Sequence, residues 1–212
     1  MKLTWFFDFI SPFSYLQFQR LSELPDDIEI EYKPILFAGL LNHWKNVGPA
    51  EIAPKRTFTY KYCYWYARKN GIAFTMPPAH PFNSLTALRL AIATNNRHDS
   101  ISVIFDVIWK EGFAIDSKEA NLYLNSRLKI CDLSSMTTQQ SIKDQLFKNT
   151  QAAADACVFG VPTFVVNDGS DELFWGLDSF DMLLDYLQSP ERFHDVEMRR
   201  IIELPEGIQR KR

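Results

Sequence analysis

The chain has 212 residues, of which 46% are hydrophobic and 23% are charged, and this composition excludes a largely disordered polypeptide. Its formal net charge of −3 supplies no general basic field that would attract phosphate backbones, so we expect no nucleic acid partner. The length suits one sizeable core or a compact domain that carries a second lobe.

The first part of the chain predicts a β-α-β unit. Residues 3–9 are aromatic and β-prone, and they lead into Ile10-Ser11-Pro12, where serine can cap a helix and proline can occupy its first turn. The helix is predicted to run until Leu24-Pro25, and residues 28–32 then alternate as a strand. A strand therefore feeds directly into a helix at Ser11.

The middle of the chain has helical spacing, and strand character returns only near its end. Predicted helices cover residues 54–70, 83–95, 100–110, 117–124, 137–146 and 148–158. Residues 163–167 and 172–175 predict a hairpin, followed by a last helix over 179–188.

Strands at both ends of a helical centre predict an α/β chain with a lobe inserted into it, rather than two domains in series. We expect a discontinuous domain of residues 1–45 and 147–190, an inserted helical domain of residues 46–146, and a C-terminal extension of residues 191–212. The functional site should then lie between the domain and the lobe.

Cysteine usage and the first residues indicate the compartment. Cys63, Cys131 and Cys157 are widely spaced and form neither a CxxC nor a Cys/His pattern, so we expect no disulfide framework and no metal site. Asp8 interrupts the apolar start, no cleavage site of small residues follows, and no stretch reaches the length of a membrane span. We therefore expect a cytoplasmic protein without a membrane partner.

The segment of residues 8–15 holds the strongest candidate for chemistry. A side chain at a strand-to-helix junction lies beside unpaired backbone N–H groups, where it can help to hold an anion such as a thiolate. The Ser11 hydroxyl can donate one hydrogen bond, and no acid-base partner is visible in the sequence, so it suits stabilisation better than attack. The alternative is that Ser11 serves only as a helix cap.

The second candidate is the segment Phe159-Gly160-Val161-Pro162-Thr163-Phe164. A cis peptide bond at Val161-Pro162 would expose the backbone N–H and C=O groups of Val161 to an extended ligand. The alternative is an ordinary trans proline at the start of an edge strand.

Taken together, the two segments resemble the thioredoxin superfamily, with Ser11 and Ser14 at the positions of the two cysteines of CxxC. Within it, the chain resembles the DsbA-like branch of kappa-class glutathione transferases and 2-hydroxychromene-2-carboxylate isomerases. The similarity lies in residues 6–16, 46–49, 158–163 and 174–178. It implies a thioredoxin-like fold with an inserted helical domain. Without the two cysteines, dithiol exchange loses both its attacking and its resolving sulfur.

The resemblance also implies glutathione as the cofactor. The Ser11 hydroxyl would face its sulfur, and the backbone of Val161, before Pro162, would pair with its cysteinyl portion. Asn46 would make a polar contact, and Asp178 would lie at the γ-glutamyl ammonium. The chain departs from the family at Leu177, where a small polar residue is usual, so one hydrogen bond to the glutamyl carboxylate is in question. Asn46 as a plain loop residue and Asp178 as a helix cap are the alternatives.

The co-substrate pocket is less determined. The resemblance implies a small aromatic or electrophilic substrate, and an isomerase needs polar or cationic groups for its carboxylate. Candidates near or in this pocket are Phe13, Lys33, Lys55, Arg56, His80 and Arg89. The aromatic run of residues 60–66 can wall such a pocket or pack in the core, and each charge can be a solvated surface group.

Three functions follow from this pattern. In an isomerase, the glutathione thiolate adds reversibly to a 2-hydroxychromene-2-carboxylate-type substrate and a trans-o-hydroxybenzylidenepyruvate-type product is released. In a transferase, the same thiolate is conjugated to an electrophile. In a non-catalytic module, the Val161-Pro162 edge binds a peptide. The resemblance also implies a homodimer.

Overall fold

The computed structural model describes residues 1–170 and 172–208. A four-stranded sheet has the order β2-β1-β3-β4, made of β1 (Lys2–Phe7), β2 (Glu29–Pro34), β3 (Thr163–Val166) and β4 (Leu173–Trp175). Strand β1 pairs in parallel with β2 and antiparallel with β3, which pairs antiparallel with β4. The predicted β-α-β unit and hairpin are thus both present. Residues 171 and 209–212, predicted in the hairpin turn and the charged tail, lie outside the described residues.

Ten α-helices and four shorter helical turns complete the described part of the chain. The α-helices are α1 (Pro12–Phe18), α2 (Phe37–His43), α3 (Ala53–Lys69), α4 (Leu85–Ala93), α5 (His98–Phe105), α6 (Lys118–Leu128), α7 (Leu133–Thr138), α8 (Gln140–Asp155), α9 (Phe180–Gln188) and α10 (Val196–Ile202). Helix α5 continues directly into a π-helical turn, Asp106–Lys110.

The sequence predicted most of these helices but erred at some boundaries. The bounds predicted for two helices, 137–146 and 148–158, are wrong. In the structure α7 ends at Thr138 and α8 runs unbroken over Gln140–Asp155. The first helix also stops early, at Phe18, and a 3-10 turn over Leu21–Glu23 follows it. Helices α2 and α10 were not predicted.

The sheet is covered on both faces. On one face Trp5 and Phe7 pack with α1, α9 and the helices of the chain's centre in the larger core, which includes Phe105 and Trp109. On the other face Phe6 packs with α2 and α8 in a smaller core. A strand buried on both faces reads as a continuous apolar run, which explains the sequence of β1. The larger core is continuous from the sheet into the central helices.

The division into a discontinuous domain of residues 1–45 and 147–190 with a helical insert stays a prediction. Its boundary at 146/147 falls within α8, so the chain enters the second half of the proposed domain in mid-helix. The predicted extension contains α10, which has no buried residue. Within the ranges that the structure describes, no helix is long and apolar enough to cross a lipid bilayer.

Candidate functional site

Ser11 caps helix α1. Its backbone is extended (φ −87°, ψ 115°), its Oγ atom accepts the N–H of Ser14 at 3.2 Å, and Pro12 occupies the first turn. The side chain is not only a cap, because Oγ also donates to the carbonyl oxygen of Val161 at 3.5 Å. Ser11 retains 8% exposure. The structure therefore brings the two segments that the sequence singled out into direct contact.

The segment around Val161 presents backbone groups. The Val161-Pro162 peptide bond is cis, and the carbonyl oxygen of Pro162 accepts the N–H of Gly176 from beyond β4. Among the described residues, the Val161 N–H has no hydrogen-bond acceptor. Its N–H is thus unpaired, and its C=O holds only the long bond from Ser11. Val161 can pair with an extended ligand in the manner of a strand edge.

Residues 8–11, the Ser11 turn, are held by bonds from several directions. The Ser11 N–H donates to the backbone oxygen of Asp8 at 3.0 Å, and the Asp8 Oδ1 atom accepts the N–H of Ile10 at 3.0 Å. From the helical centre, Trp109 Nε1 donates to the Phe9 carbonyl at 2.8 Å. The backbone that presents Ser11 is therefore fixed by both its own strand and the central helices.

Asp8 is a buried acid that the sequence reasoning missed as a site residue. It is 1% exposed, and its Oδ2 atom accepts the N–H of Phe37, the first residue of α2, at 2.9 Å. Burial raises the pKa of the Asp8 carboxyl to about 6, against the lowering effect of hydrogen bonds from Ile10, Phe37 and Ser84. The available signal was an acidic residue that interrupts an aromatic run, Phe6-Phe7-Asp8-Phe9.

His80 lies in a loop and is bonded at both ring nitrogens. Its Nε2 atom lies 2.7 Å from the carbonyl oxygen of Ile10, and its Nδ1 atom lies 2.8 Å from the Tyr60 hydroxyl. Burial lowers the pKa of His80, the bond to Ile10 opposes this, and the charge of Arg56 adds to the lowering. The His80 ring is thus turned towards the Ser11 turn. From the sequence, His80 was a candidate for the substrate pocket.

A cavity of about 300 Å3 adjoins α1. It is lined by Phe13, Phe58, Thr59, Tyr62, Leu177 and Asp178. Three separate predictions from the sequence meet in this cavity: the pocket residue Phe13, the aromatic run that contains Tyr62, and the glutathione-binding pair Leu177 and Asp178. Leu177 is buried in the larger core, whereas the Asp178 carboxylate is exposed. The cap of α9 is Ser179, so Asp178 does not serve as the helix cap.

A family model decides the relationship of the chain to known proteins. The model of the DSBA-like thioredoxin domain matches residues 2–188. The chain belongs to the DSBA-like thioredoxin domain family. The resemblance and the thioredoxin-like fold predicted from the sequence are thereby confirmed.

Individual relatives of this DSBA-like chain cover nearly its whole length. A 2-hydroxychromene-2-carboxylate isomerase of Pseudomonas putida is 29% identical over 191 residues, which is 86% of this chain and 92% of the relative. Glutathione s-transferase kappa 2 of Caenorhabditis elegans is 27% identical over 206 residues, covering 87% and 91%. The solved structure of a 2-hydroxychromene-2-carboxylate isomerase matches with a TM-score of 0.76 at 28% identity, covering 92% and 98%.

The DSBA-like chain has serine at both positions of the CxxC pattern. Ser14 Oγ is buried and has no hydrogen-bond partner among the described residues. The cysteines lie elsewhere: Cys63 is buried, which raises the pKa of its thiol to about 12, and Cys131 and Cys157 are exposed and free. In the described ranges no group of three or more His, Cys, Asp or Glu side chains is placed to hold a metal ion.

Asn46 lies on an exposed loop after α2. Its Oδ1 atom accepts the N–H of Val47 at 2.9 Å, a local bond. The loop is tied to the site region through Trp44, whose Nε1 atom donates to the carbonyl oxygen of Val158 at 2.8 Å. The structure therefore ties the loop that carries Asn46 to the segment that leads to Val161, and among the described residues the Asn46 amide nitrogen has no hydrogen-bond partner.

Two of the cationic candidates are not brought to this site. Lys33 pairs with Glu31 at 3.2 Å and lines a different cavity of about 490 Å3, between β2 and α8. Arg89 lies in α4, where its Nε atom is buried without a partner in the described part of the chain. Arg56, by contrast, lies close enough to Tyr60 and His80 to affect the pKa of both.

Proposed function

We propose that this chain is a glutathione-dependent isomerase of the 2-hydroxychromene-2-carboxylate isomerase type. The observation that carries the proposal is the contact between Ser11 and Val161, which joins a hydroxyl to an open peptide-pairing edge in a site without a cysteine. The named relatives, isomerases and kappa-class transferases, support an enzyme of this kind.

The donor set fits the tripeptide. The Ser11 hydroxyl donates its hydrogen to Val161 over 3.5 Å, which is at the outer limit of hydrogen-bond length. Little hydrogen-bond energy is therefore lost if the hydroxyl rotates to donate to a sulfur atom. That rotation also frees the Val161 carbonyl oxygen. The Val161 N–H and C=O groups can then both pair with the backbone of an extended cysteinyl residue.

The cavity beside α1 fits the γ-glutamyl end of such a ligand. The exposed Asp178 carboxylate can accept a charge-assisted hydrogen bond from the γ-glutamyl ammonium. Leu177 has an apolar side chain, so it offers only its backbone N–H to the glutamyl carboxylate. Asn46 can donate through its free amide nitrogen. We assign these three residues, together with Ser11, Val161 and Pro162, to the glutathione site.

Glutathione, held by Ser11 and Val161, would supply a nucleophilic thiolate for reversible addition to the conjugated system of the substrate and would be released unchanged. The Ser11 hydroxyl donates to the sulfur and stabilises its charged form, so the thiol pKa falls towards neutrality. Phe13, Phe58 and Tyr62 offer apolar surface to an aromatic ring. Arg56, whose charge reaches Tyr60 and His80, can receive a substrate carboxylate. The expected product is of the trans-o-hydroxybenzylidenepyruvate type.

A kappa-class-like glutathione transferase is the second candidate, supported by the two kappa-class relatives of Caenorhabditis elegans. It would use the same Ser11 and Val161 groups and retain the adduct as product. A non-catalytic binding module is the third. The homodimer and the cytoplasmic location stay predictions.

One assay separates these functions. The protein is mixed with glutathione and either 2-hydroxychromene-2-carboxylate or a generic aryl halide, and each reaction is followed with and without glutathione. We expect glutathione-dependent isomerisation and little conjugation. Conjugation alone would favour the transferase, and the absence of glutathione binding by calorimetry would exclude both enzymes.

A further inference from the structure

Two hydrogen-bonded side chains, Tyr60 of α3 and His80, connect the central helices to the Ser11 turn. Imidazole Nε2 lies 2.7 Å from the Ile10 carbonyl oxygen. The Tyr60 hydroxyl lies 2.8 Å from both Nδ1 and the backbone carbonyl oxygen of His80. The T-shaped contact of the two rings, with centroids 5.3 Å apart, fixes their orientation further.

The partners of His80 determine its tautomer. A carbonyl oxygen only accepts hydrogen bonds, so Nε2 must carry the hydrogen that bonds to Ile10. Burial and the charge of Arg56 keep the ring neutral, and Nδ1 is then an acceptor for the Tyr60 hydroxyl. The Ile10 carbonyl thus selects the Nε2–H tautomer, and the single hydroxyl hydrogen of Tyr60, shared between Nδ1 and the His80 carbonyl oxygen, holds the ring in place.

The bond from His80 completes the fixation of one peptide plane. The Ile10 carbonyl and the Ser11 N–H belong to the same planar peptide group. His80 holds the carbonyl at one end, and the backbone oxygen of Asp8 accepts the N–H at the other, at 3.0 Å. The plane cannot rotate without breaking one of these two bonds, so the backbone from which the Ser11 side chain projects is held in place.

We propose that Tyr60 and His80 are positioning residues that orient the Ser11 hydroxyl through the Ile10-Ser11 peptide group. The effect on a bound thiol rests on the function proposed above, whereas the effect on the Ser11 turn does not. The pair acts from the helical centre of the chain on the strand-to-helix junction. The hydroxyl is thus aimed by residues that touch neither Ser11 nor Val161.

The protein contains a matched control pair. Tyr32 and His98 make the same bond, with the hydroxyl 2.8 Å from Nδ1, but His98 stacks on Phe18 at the far end of α1. Substitutions in that pair remove the same chemistry without touching the Ser11 turn. Tyr64, half exposed on α3, supplies a second control.

The test compares His80→Leu, His80→Gln and Tyr60→Phe with His98→Gln and Tyr64→Phe in the full chain. The ligand-free readout is amide hydrogen exchange at Ser11. The second readout is the pKa of the bound glutathione thiol, from its thiolate absorbance across a pH series. Gln at position 80 keeps an N–H donor for the Ile10 carbonyl, whereas Leu does not. Tyr60→Phe loses a single hydroxyl, which keeps the test valid if His80→Leu does not fold.

We expect His80→Leu and Tyr60→Phe to speed Ser11 exchange by about tenfold, the equivalent of one lost hydrogen bond. The thiol pKa should rise by about half a unit or more, with partial recovery in His80→Gln. Both control variants should match the wild type. Unchanged exchange at Ser11 in Tyr60→Phe and His80→Leu would overturn the proposal. Faster exchange in a protein that binds no glutathione would refute the proposed function and leave the positioning role supported.

Discussion

The hydroxyl of Ser11 donates to the carbonyl oxygen of Val161 across 3.5 Å, which joins residues 150 positions apart. The contact places the start of α1 against the segment that leads into β3. It requires β1 and β3 to be neighbours, as their pairing from Leu3–Val166 to Phe6–Thr163 provides. The candidate site is thus a product of sheet topology, and its parts can be tested one at a time.

Replacing Ser11 with alanine removes both the helix cap and the donor to the sulfur. We expect the free energy of unfolding to fall by about 1 kcal/mol, the usual cost of losing a serine cap. The pKa of bound glutathione should rise, and kcat should fall more than KM rises. Chemical denaturation and steady-state kinetics measure these changes.

Ser14→Ala is the matched control for that variant. Ser14 Oγ is buried and unpartnered in the described residues, so its removal should leave the stability unchanged or raise it. A loss of activity in Ser14→Ala as large as in Ser11→Ala would contradict the role given to Ser11.

Asp178→Asn tests the ammonium contact. Asparagine keeps the shape of the side chain but removes its charge, so we expect glutathione to bind about tenfold more weakly, with kcat little changed. Calorimetry measures the affinity. Asp185→Asn, an exposed carboxylate on α9, is the control and should bind as the wild type does. Equal losses in both variants would indicate a general charge effect.

Asp8 makes the stability depend on pH with an unusual sign. Because burial raises its pKa from the usual 3.8 to about 6, the folded chain binds this proton more tightly than the unfolded chain. The contribution is complete below about pH 4 and is lost as the pH rises through 6, in total about 3 kcal/mol at most.

Asp8→Asn removes this titration and serves as the comparison. Its unfolding free energy, measured by denaturation at several pH values, should lack the fall of the wild type between about pH 4 and pH 6. Asparagine also leaves either Ile10 or Phe37 without an acceptor, whereas the ionised carboxylate accepts both N–H groups. Parallel curves for the two proteins would show that Asp8 titrates normally.

Gly160 allows Trp175 to lie close to the Val161 segment. A methyl group at position 160 would collide with the Nε1 atom of Trp175, whose ring also contacts Phe159. We expect Gly160→Ala to displace the indole, change tryptophan fluorescence and cost about 1–3 kcal/mol.

The double variant Gly160→Ala/Trp175→Ala should recover most of that loss, because the colliding ring is gone. Gly207→Ala, with open space around its Cβ position, is the control and should be neutral. Failure of the double variant to recover would place the strain in the backbone at Gly160.

Local signals determined much of this protein. The serine-proline pair predicted the start of α1, and the aromatic run before it predicted β1, since capping and strand propensity are set by the local sequence. Helices α2 and α10 were not predicted, because both are seven residues long and are too short to show a clear helical period in the sequence. The break between α7 and α8 was misplaced for the same reason.

Ser11, Val161 and Asp178 were identified from sequence because they stand in recognisable segments. The tertiary structure alone decided which side chains hold them. His80, a substrate-pocket candidate, bonds to Ile10, Lys33 lies in another cavity, and Asp8 is a buried acid. Burial, tautomer and pKa depend on partners distant in the chain, which the pairing of β1 with β3 and the packing of the central helices bring together.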